Sequence, residues 1–437
     1  GYTFGVEPLQ QYLIEFPDGR LQALNIVWDT RPAEEGGQRW FHLYPDEAID
    51  ATDELHWTRR LHNWNYMCAD CHSTGYRKNY DAPNDTFAST WSDIDVSCEA
   101  CHGPGSRHVS LARAERLDED SGLLLSFADP ERRWIRATGE PTARLAGENQ
   151  SADQVEACGR CHARRAPLRA EYAHGQPLTD SYLPALLTEP LYFPDGQIRD
   201  EVSVYGSFLQ SSMYAAGVVC TDCHEPHSVR LKIEGDGLCA QCHSPEVYAA
   251  ADHHRHTEAD APACVDCHMP SRNYMVIDGR RDHSFRVPRP DLAASLGVTD
   301  ACAACHEDQP AGWSATVVRE WLGRDASGYQ QFAEAFRAAD TGAADAADQL
   351  AVLLESGDLS PIARATALRH LASYVSPVSF DLAATALNNP DPLVRLGALE
   401  ALAPLAVATK QTRLLPLLDD PVRSVRTEAA RQLAGVP

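Results

Sequence analysis

A five-residue pattern, Cys-x-x-Cys-His, occurs seven times in this 437-residue chain, and its copies use all fourteen cysteines. Two thiols three positions apart suit thioether bonds to the two vinyl groups of one porphyrin, and the histidine that follows is placed to ligate the iron. The pattern therefore predicts seven covalently attached haem c groups. The predicted thioether residues are Cys68, Cys71, Cys98, Cys101, Cys158, Cys161, Cys220, Cys223, Cys239, Cys242, Cys264, Cys267, Cys302 and Cys305. The predicted proximal iron ligands are His72, His102, His162, His224, His243, His268 and His306.

Three other uses of paired cysteines explain the pattern less well. Structural zinc takes two such pairs per ion, and seven is an odd number. A redox-active cysteine pair has no reason to be followed by histidine in every copy. A disulfide framework would not normally place all its cysteines in identical pairs. Haem attachment is therefore the interpretation that accounts for every cysteine.

The charge of the chain limits its partners. Lys and Arg number 38 against 62 Asp and Glu, which gives a formal net charge of −24. Such a charge argues against binding nucleic acid or an anionic membrane and favours basic docking partners or none. No apolar run approaches the roughly 20 residues of a membrane-spanning helix. Because haem c is attached outside the cytoplasm, we expect a periplasmic or extracellular protein whose precursor carried an export signal ahead of Gly1.

Three domains are expected. Residues 1–66 lack the cysteine pattern, and alternating apolar residues on both sides of Pro17-Asp18-Gly19 predict a β-hairpin packed on the haem core. Residues 67–310 form the predicted heptahaem domain. The 239 residues from Cys68 to His306 leave about 34 for each pattern, so the cofactors must supply much of the apolar core. We expect short helices carrying the patterns, joined by long irregular loops.

Residues 311–437 differ from the rest, since cysteine is absent and Ala and Leu recur at helical spacing. Arg364, Arg395 and Arg426 occupy equivalent places 31 residues apart, which predicts a HEAT-like α-solenoid. Such a stack serves either as a surface for protein contact or as a cap on the haem domain. The predicted fold class is thus mainly α with much irregular loop: a multihaem cytochrome c core with a small N-terminal β-hairpin region, followed by a HEAT-like α-solenoid.

Histidines outside the pattern are candidates for the sixth iron position. The chain has eighteen histidines; seven belong to the pattern and His370 lies in the repeat region, which leaves ten for seven irons. His62 is the weakest of these. The other distal candidates are His42, His56, His108, His174, His227, His253, His254, His256 and His283.

Several stretches carry a resemblance to known proteins. Cys98-Glu-Ala-Cys-His-Gly-Pro-Gly105, with His108 after it, resembles a turn of multihaem cytochromes in the cytochrome c554 and hydroxylamine oxidoreductase superfamily. Asn63-Trp-Asn-Tyr-Met-Cys-Ala-Asp-Cys-His-Ser-Thr74, Gly206-Ser-Phe-Leu-Gln210 and Asp282-His-Ser-Phe-Arg-Val-Pro288 are similar to predicted bacterial multihaem cytochromes with C-terminal helical repeats. The similarity covers essentially the whole chain. Those proteins generally carry one more haem pattern at the N-terminus, so the resemblance implies an eighth haem ahead of Gly1.

Two functions from different classes follow. Irons with two histidine ligands have no open site and exchange only electrons, so closely spaced haems predict an electron relay serving redox partner proteins such as other cytochromes. Such chains also assemble as homo-oligomers or filaments. The alternative is an oxidoreductase acting on a small nitrogen or sulfur compound (nitrite, hydroxylamine or tetrathionate), which needs a five-coordinate iron beside acid–base groups. We favour electron transfer and predict no catalytic residue; a third hypothesis makes the acidic solenoid a binding module.

Overall fold

This computed structural model describes residues 1–118, 120–127, 129, 131–147, 152–257 and 259–434. The chain divides into two compact units. The first comprises Gly1–Ser126, Ala170–Gly175 and Arg272–Arg280, and the second comprises Phe127–Arg169, Gln176–Ser271 and Arg281–Pro437. Two of the seven Cys-x-x-Cys-His patterns lie in the first unit and five in the second. The domain boundaries at residues 66 and 310 stay a prediction.

The first unit is built on an antiparallel sheet. The predicted hairpin is present, with Leu13 opposite Ala23, but its second arm is split into two strands that pair with different parts of the first. The sheet order is β1-β2-β4-β5, with β3 paired to β2. The strands of this unit are β1 (Tyr2–Phe4), β2 (Leu9–Glu15), β3 (Leu21–Ala23), β4 (Ile26–Asp29), β5 (Arg39–His42), β6 (Tyr80–Asp81) and β7 (Thr86–Phe87). Its helices are α1 (Trp64–Met67), α2 (Ala69–His72), α3 (Cys98–His102) and α4 (Ser106–Arg113).

A buried tryptophan fixes the first cysteine pattern against this sheet. Trp64 is 1% exposed and belongs to a core cluster with Leu13, Leu21, Ala23, Ala69 and Tyr76, against which Cys68 also packs. The Tyr76 hydroxyl donates to the carbonyl oxygen of Asn65 at 2.6 Å. These contacts hold α1 and α2, and with them the Cys68–His72 turn, on the sheet.

The second unit combines short helices, small hairpins and a helical stack. No helix within the described ranges is long and apolar enough to cross a membrane. Its strands are β8 (Arg133–Ile135), β9 (Arg144–Ala146), β10 (Arg165–Pro167), β11 (Tyr182–Pro184), β12 (His224–Glu225) and β13 (Arg230–Leu231), and the chain also forms a hairpin of β14 (Ser271–Tyr274) and β15 (Asp278–Arg281). The helices before residue 310 are α5 (Ala152–His162), α6 (Tyr205–Gln210), α7 (Ser212–Ala215), α8 (Cys220–Cys223), α9 (Gly237–Ala240), α10 (Pro245–Tyr248), α11 (Ala251–His254), α12 (Cys264–His268) and α13 (Pro290–Leu296).

The C-terminal region is a stack of antiparallel helices. It contains α14 (Trp313–Leu322), α15 (Ala333–Thr341), α16 (Ala346–Glu355), α17 (Pro361–Leu371), α18 (Pro377–Ala386), α19 (Pro392–Leu402), α20 (Val407–Leu414) and α21 (Arg423–Leu433). Helices α17, α19 and α21 begin 31 residues apart, as the spacing of the arginines predicts. Those arginines share one task, because each guanidinium donates to backbone carbonyls just ahead of its own helix: Leu354 and Ser356 for Arg364, Asn389 and Pro390 for Arg395, and Asp420 for Arg426.

Packing within the stack is close. A Cβ atom on Gly397 would lie 2.5 Å from the carbonyl oxygen of Ala365, so the approach of α19 to α17 requires glycine there. Arg395 also forms a buried ion pair with Asp420, whose side chains are 9% and 5% exposed. The close packing thus joins α17 to α19, and the ion pair joins α19 to the turn ahead of α21.

The stack also contacts the cysteine-bearing part of the same unit. The Thr366 hydroxyl accepts from the backbone N–H of Leu187 at 3.1 Å, and the Asp180 carboxylate accepts from the N–H of Arg423 at 2.9 Å. These contacts join the stack to this part of the chain; its role as a cap or as a surface for protein contact stays a prediction.

Two titratable side chains whose pKa values are shifted in opposite directions face each other in the stack, His370 and Asp340. Burial, with the charge of Arg369, lowers the pKa of His370 to about 4. Burial, with the charge of Glu189, raises the pKa of Asp340 to about 6. His370 Nε2 lies 3.9 Å from Asp340 Oδ1. Near pH 5 both groups are therefore uncharged in the folded chain.

We predict opposite pH slopes for variants of this pair. In Asp340→Asn only His370 remains; its lowered pKa stabilises the fold above pH 6.5, and this contribution is lost as pH falls toward 4. In His370→Leu only Asp340 remains; its raised pKa stabilises the fold at low pH, and this contribution is lost as pH rises through 6. Relative to the wild type, each change is on the order of 1 kcal/mol after allowance for solvent screening. Urea unfolding followed by far-UV circular dichroism at pH 5 and 7 measures it, and parallel slopes for the two variants would contradict the account.

Candidate haem-attachment and iron-ligand sites

The two cysteines of each Cys-x-x-Cys-His pattern lie on a tight turn, mostly helical, and in the fourth pattern His224 already begins strand β12. In three of them the histidine N–H donates to the carbonyl of the first cysteine: His72 to Cys68 (3.1 Å), His243 to Cys239 (2.9 Å) and His306 to Cys302 (3.0 Å). Residues three and four apart share one face of a helix. The local fold therefore points two thiols and one imidazole to the same side.

The thiols are available for thioether bonds. All fourteen cysteines are free of disulfides. Within the described ranges, no three His, Cys, Asp or Glu side chains are grouped in a way that suits a metal ion.

In the second unit the five patterns form a series through their thiols. The side chain of Cys158 lies beside that of Cys220, and the side chain of Cys264 lies beside that of Cys239. Cys223 lies close enough to Cys239 and Cys242 for their charges to interact. Cys267 is likewise close to Cys302 and Cys305. The third to seventh patterns thus follow one another in space in the order of the sequence.

Three proximal histidines of this unit face a second imidazole. Two metal–nitrogen bonds of about 2 Å each, extended on both sides to the ring centres, place two coordinating imidazoles roughly 6 Å apart. The observed spacings fit an iron between the rings. The pairs are His224 with His283 (6.2 Å between ring centres, planes 24° apart), His268 with His253 (6.1 Å, 17°) and His306 with His256 (6.1 Å, 31°).

One short segment supplies two of these second rings. His253 lies in the last turn of helix α11, which ends at His254, and His256 follows two residues later. Between them Arg255 has φ 59° and ψ 25°, the left-handed conformation, and its N–H donates to the carbonyl of Ala251 at 2.8 Å. This bend directs the two imidazoles to two different proximal histidines.

Hydrogen bonds at Nδ1 orient several of the rings. When a backbone carbonyl accepts the Nδ1 proton, the tautomer is fixed and Nε2 is left for a metal. The Nδ1 to carbonyl oxygen distances are 2.8 Å for His102 with Leu125, 2.6 Å for His108 with Ser121, 2.5 Å for His256 with His254, 2.7 Å for His268 with Arg286 and 3.0 Å for His283 with Arg281.

Two distal candidates of the second unit are placed differently. His254 uses both ring nitrogens on the backbone, since Nδ1 accepts from the His256 N–H at 3.1 Å and Nε2 donates to the Ala249 carbonyl at 3.3 Å. The side chain of His227 is 81% exposed and its Nδ1 lies 3.1 Å from a carboxylate oxygen of Glu225. Neither is seen stacked on a proximal histidine.

In the first unit, His42 and His56 line a cavity of about 220 Å³ together with Trp57. Their Nδ1 atoms are held locally, by the Tyr44 N–H at 3.0 Å and by the Thr58 hydroxyl at 2.9 Å. His62 lies close by, with Nε2 3.3 Å from the Tyr44 hydroxyl. Burial, with the charges of His42 and His56, lowers the pKa of His62 to about 4.

His174 lies beside the second cysteine pattern. Its Nε2 is 3.3 Å from the carbonyl oxygen of Ala100, and a Cβ atom on Gly103 would lie 3.5 Å from its Cγ. His108 lies on α4, six residues after His102, and its Nδ1 bonds Ser121. The structure therefore brings His174 to the Cys98–His102 turn.

Parts of the chain match known families. Residues 39–103 match the model of cytochrome c554 and c-prime, and residues 213–248 match the doubled CXXCH motif. Residues 347–434 match HEAT repeats. No curated protein matches the sequence. Among solved structures, the outer cell wall cytochrome OcwA is similar at 17% identity and a TM-score of 0.48, over 90% of this chain and 86% of that one.

The chain is a multihaem c-type cytochrome with HEAT repeats. Haem c is its cofactor, and its general function is electron transfer.

Some residues that position the ligands of this cytochrome carry no signal in the sequence. Tyr248 packs its ring against both His243 (5.2 Å between centres) and His253 (5.3 Å), and its hydroxyl lies 2.9 Å from that of Thr142. Arg286 provides the carbonyl for His268. Tyr248 belongs to a different segment from the imidazoles that it contacts, and Arg286 acts through its backbone carbonyl. No spacing rule in the sequence therefore reveals either contact.

We predict that Arg255→Gly leaves the stability and visible haem spectrum of the cytochrome unchanged. Glycine adopts the left-handed conformation freely, and the Arg255–Asp252 ion pair is exposed and contributes little. Arg255→Val should destabilise the protein by about 1–2 kcal/mol and shift the spectrum, because a β-branched residue disfavours positive φ. Thermal unfolding and absorption spectra measure both effects; equal behaviour of the two variants would contradict the role of this bend.

Proposed function

We propose that this cytochrome binds seven haem c groups, one at each Cys-x-x-Cys-His pattern, and relays electrons between closely spaced irons of which most have two histidine ligands. The two cysteines of each pattern form the thioethers and its histidine is the proximal ligand. The observation that carries the proposal is the set of three imidazole pairs at 6.1–6.2 Å. In this scheme residues 67–310 form the heptahaem domain.

The ligand pairs determine what chemistry is open. Haem c supplies a one-electron iron couple when bound. With haem bound, His283, His253 and His256 would hold the irons together with His224, His268 and His306 and would leave no open position for an exogenous molecule. Irons closed on both sides exchange electrons and bind no substrate. This favours a carrier over an oxidoreductase at these three positions.

The series of thiols supports the relay. Contacts or charge interactions join each of the third to seventh patterns to the next, from Cys158 to Cys305. Attachment points in this order bring the cofactors near one another without further structure between them. This order supports a continuous path through the second unit.

Partners and location follow from charge and chemistry. The net charge of −24 suits redox proteins with basic docking faces, among them other cytochromes. Because haem c is attached to proteins outside the cytoplasm, we place this cytochrome in the periplasm or at the cell exterior.

We predict that His253→Ala, His256→Ala and His283→Ala each open one iron. Low-temperature EPR of the oxidised holoprotein should then show one high-spin ferric haem more per chain than the wild type, and added cyanide should remove that signal. The cause is the loss of one sixth ligand while both thioethers and the proximal histidine remain.

The matched control is His254→Asn, in the same segment. Asn Oδ1 replaces the Nδ1 acceptor of His254, so the segment keeps its bend. We expect no added high-spin signal. An unchanged high-spin content in all three alanine variants, at full haem load by mass, would rule out the proposed ligand pairs.

A further inference from the structure

A single segment, Asp282–Val287, contacts two different cysteine patterns. The ring of His283 faces that of His224, in the fourth pattern, with 6.2 Å between the ring centres. Three residues later, the Arg286 carbonyl accepts from His268 Nδ1 of the sixth pattern at 2.7 Å, and the Arg286 N–H donates to the His268 carbonyl at 3.0 Å. Whatever fixes this segment therefore affects two proximal histidines at once.

A strained residue lies between the two contact points. Phe285 has φ 44°, in the left-handed region that bulky residues avoid. Its ring contacts His283 (5.9 Å between centres) and Phe208 (6.2 Å). Such a conformation persists only where the surroundings impose it.

The surroundings impose it from a turn distant in sequence. The side chains of Arg286 and Asp195 form an ion pair that is 4% and 1% exposed. The Ile198 N–H, in the same turn as Asp195, donates to Asp282 Oδ2 at 3.2 Å. One turn thus holds the segment at both ends, before His283 and after Phe285.

The C-terminal region holds the segment from another side. The Tyr329 hydroxyl donates to the Ser284 carbonyl at 2.9 Å, and Gln330 Nε2 donates to the Val287 carbonyl at 2.9 Å. Burial raises the pKa of Tyr329, so its proton stays available for this bond.

We propose that the buried Asp195–Arg286 pair, with Tyr329, is a positioning device that sets the ligand environment of two irons together. It holds the His283 ring opposite His224, and it holds the carbonyl that orients His268. The inference rests on the proposed histidine ligation. A carbonyl acceptor at Nδ1 makes an imidazole a more basic ligand, so loss of this bond should raise the reduction potential at the sixth pattern.

The test removes the pair without leaving an unpaired buried charge. In Asp195→Asn/Arg286→Met neither side chain is ionised. We expect full haem load, one added high-spin ferric haem per chain by EPR, and one further wave moved to higher potential in a spectroelectrochemical titration. The control is Asp420→Asn/Arg395→Met, which removes a buried pair of the same kind in the helical stack. It should lower stability and leave both haem signals as in the wild type.

A conservative variant covers the case in which the double variant does not fold. Tyr329→Phe loses only the hydrogen bond to Ser284. When the holoprotein is heated, the high-spin signal of this variant should appear at a lower temperature than that of the wild type. The positioning role would be overturned if Asp195→Asn/Arg286→Met and Tyr329→Phe both gave the same haem signals as the Asp420→Asn/Arg395→Met control. The proposed ligation is judged separately by His283→Ala: if that variant stays fully low-spin, the ligand pair is wrong and not merely its support.

Discussion

Each Cys-x-x-Cys-His turn must present two thiols and an imidazole on one side, with about 34 residues available per turn. So little polypeptide cannot build a separate pocket for each cofactor. Elements are therefore short, and individual segments serve more than one site. Residues 253–256 supply rings to His268 and His306, and residues 282–287 contact His224 and, from another side, His268. Each of these two segments contains one residue in the left-handed conformation, Arg255 and Phe285, and these bends let one short segment reach two histidines.

Much of the chemistry could be predicted from the sequence because it is encoded locally. The cysteine spacing predicts the cofactor, and the 31-residue spacing of Arg364, Arg395 and Arg426 predicts the helical repeats, whose shared hydrogen bonds explain why arginine recurs. The N-terminal hairpin was likewise predicted from alternation and a turn. Its second arm, predicted as one strand, is two: β3 and β4 both pair with β2, and Leu24 and Asn25 lie between them.

Pairing of histidines could not be predicted, since it depends on contacts distant in the chain. A count of ten candidates for seven positions does not reveal that His253, rather than His254, faces His268. That choice depends on which ring nitrogens the backbone already occupies. The ion pair of Asp195 and Arg286 joins residues 91 positions apart and follows no sequence pattern. The helical stack, expected either as a docking surface or as a cap, contacts the haem-bearing chain through Thr366 and Tyr329.

The central claim is that paired imidazoles close at least three irons in one chain. Near-infrared magnetic circular dichroism of the oxidised wild-type holoprotein, with haem content fixed by mass, measures it most directly because it distinguishes bis-histidine from other ligand sets. The account predicts seven haems per chain, at least three of them low-spin with two histidine ligands. Fewer than three such haems at full load would contradict it.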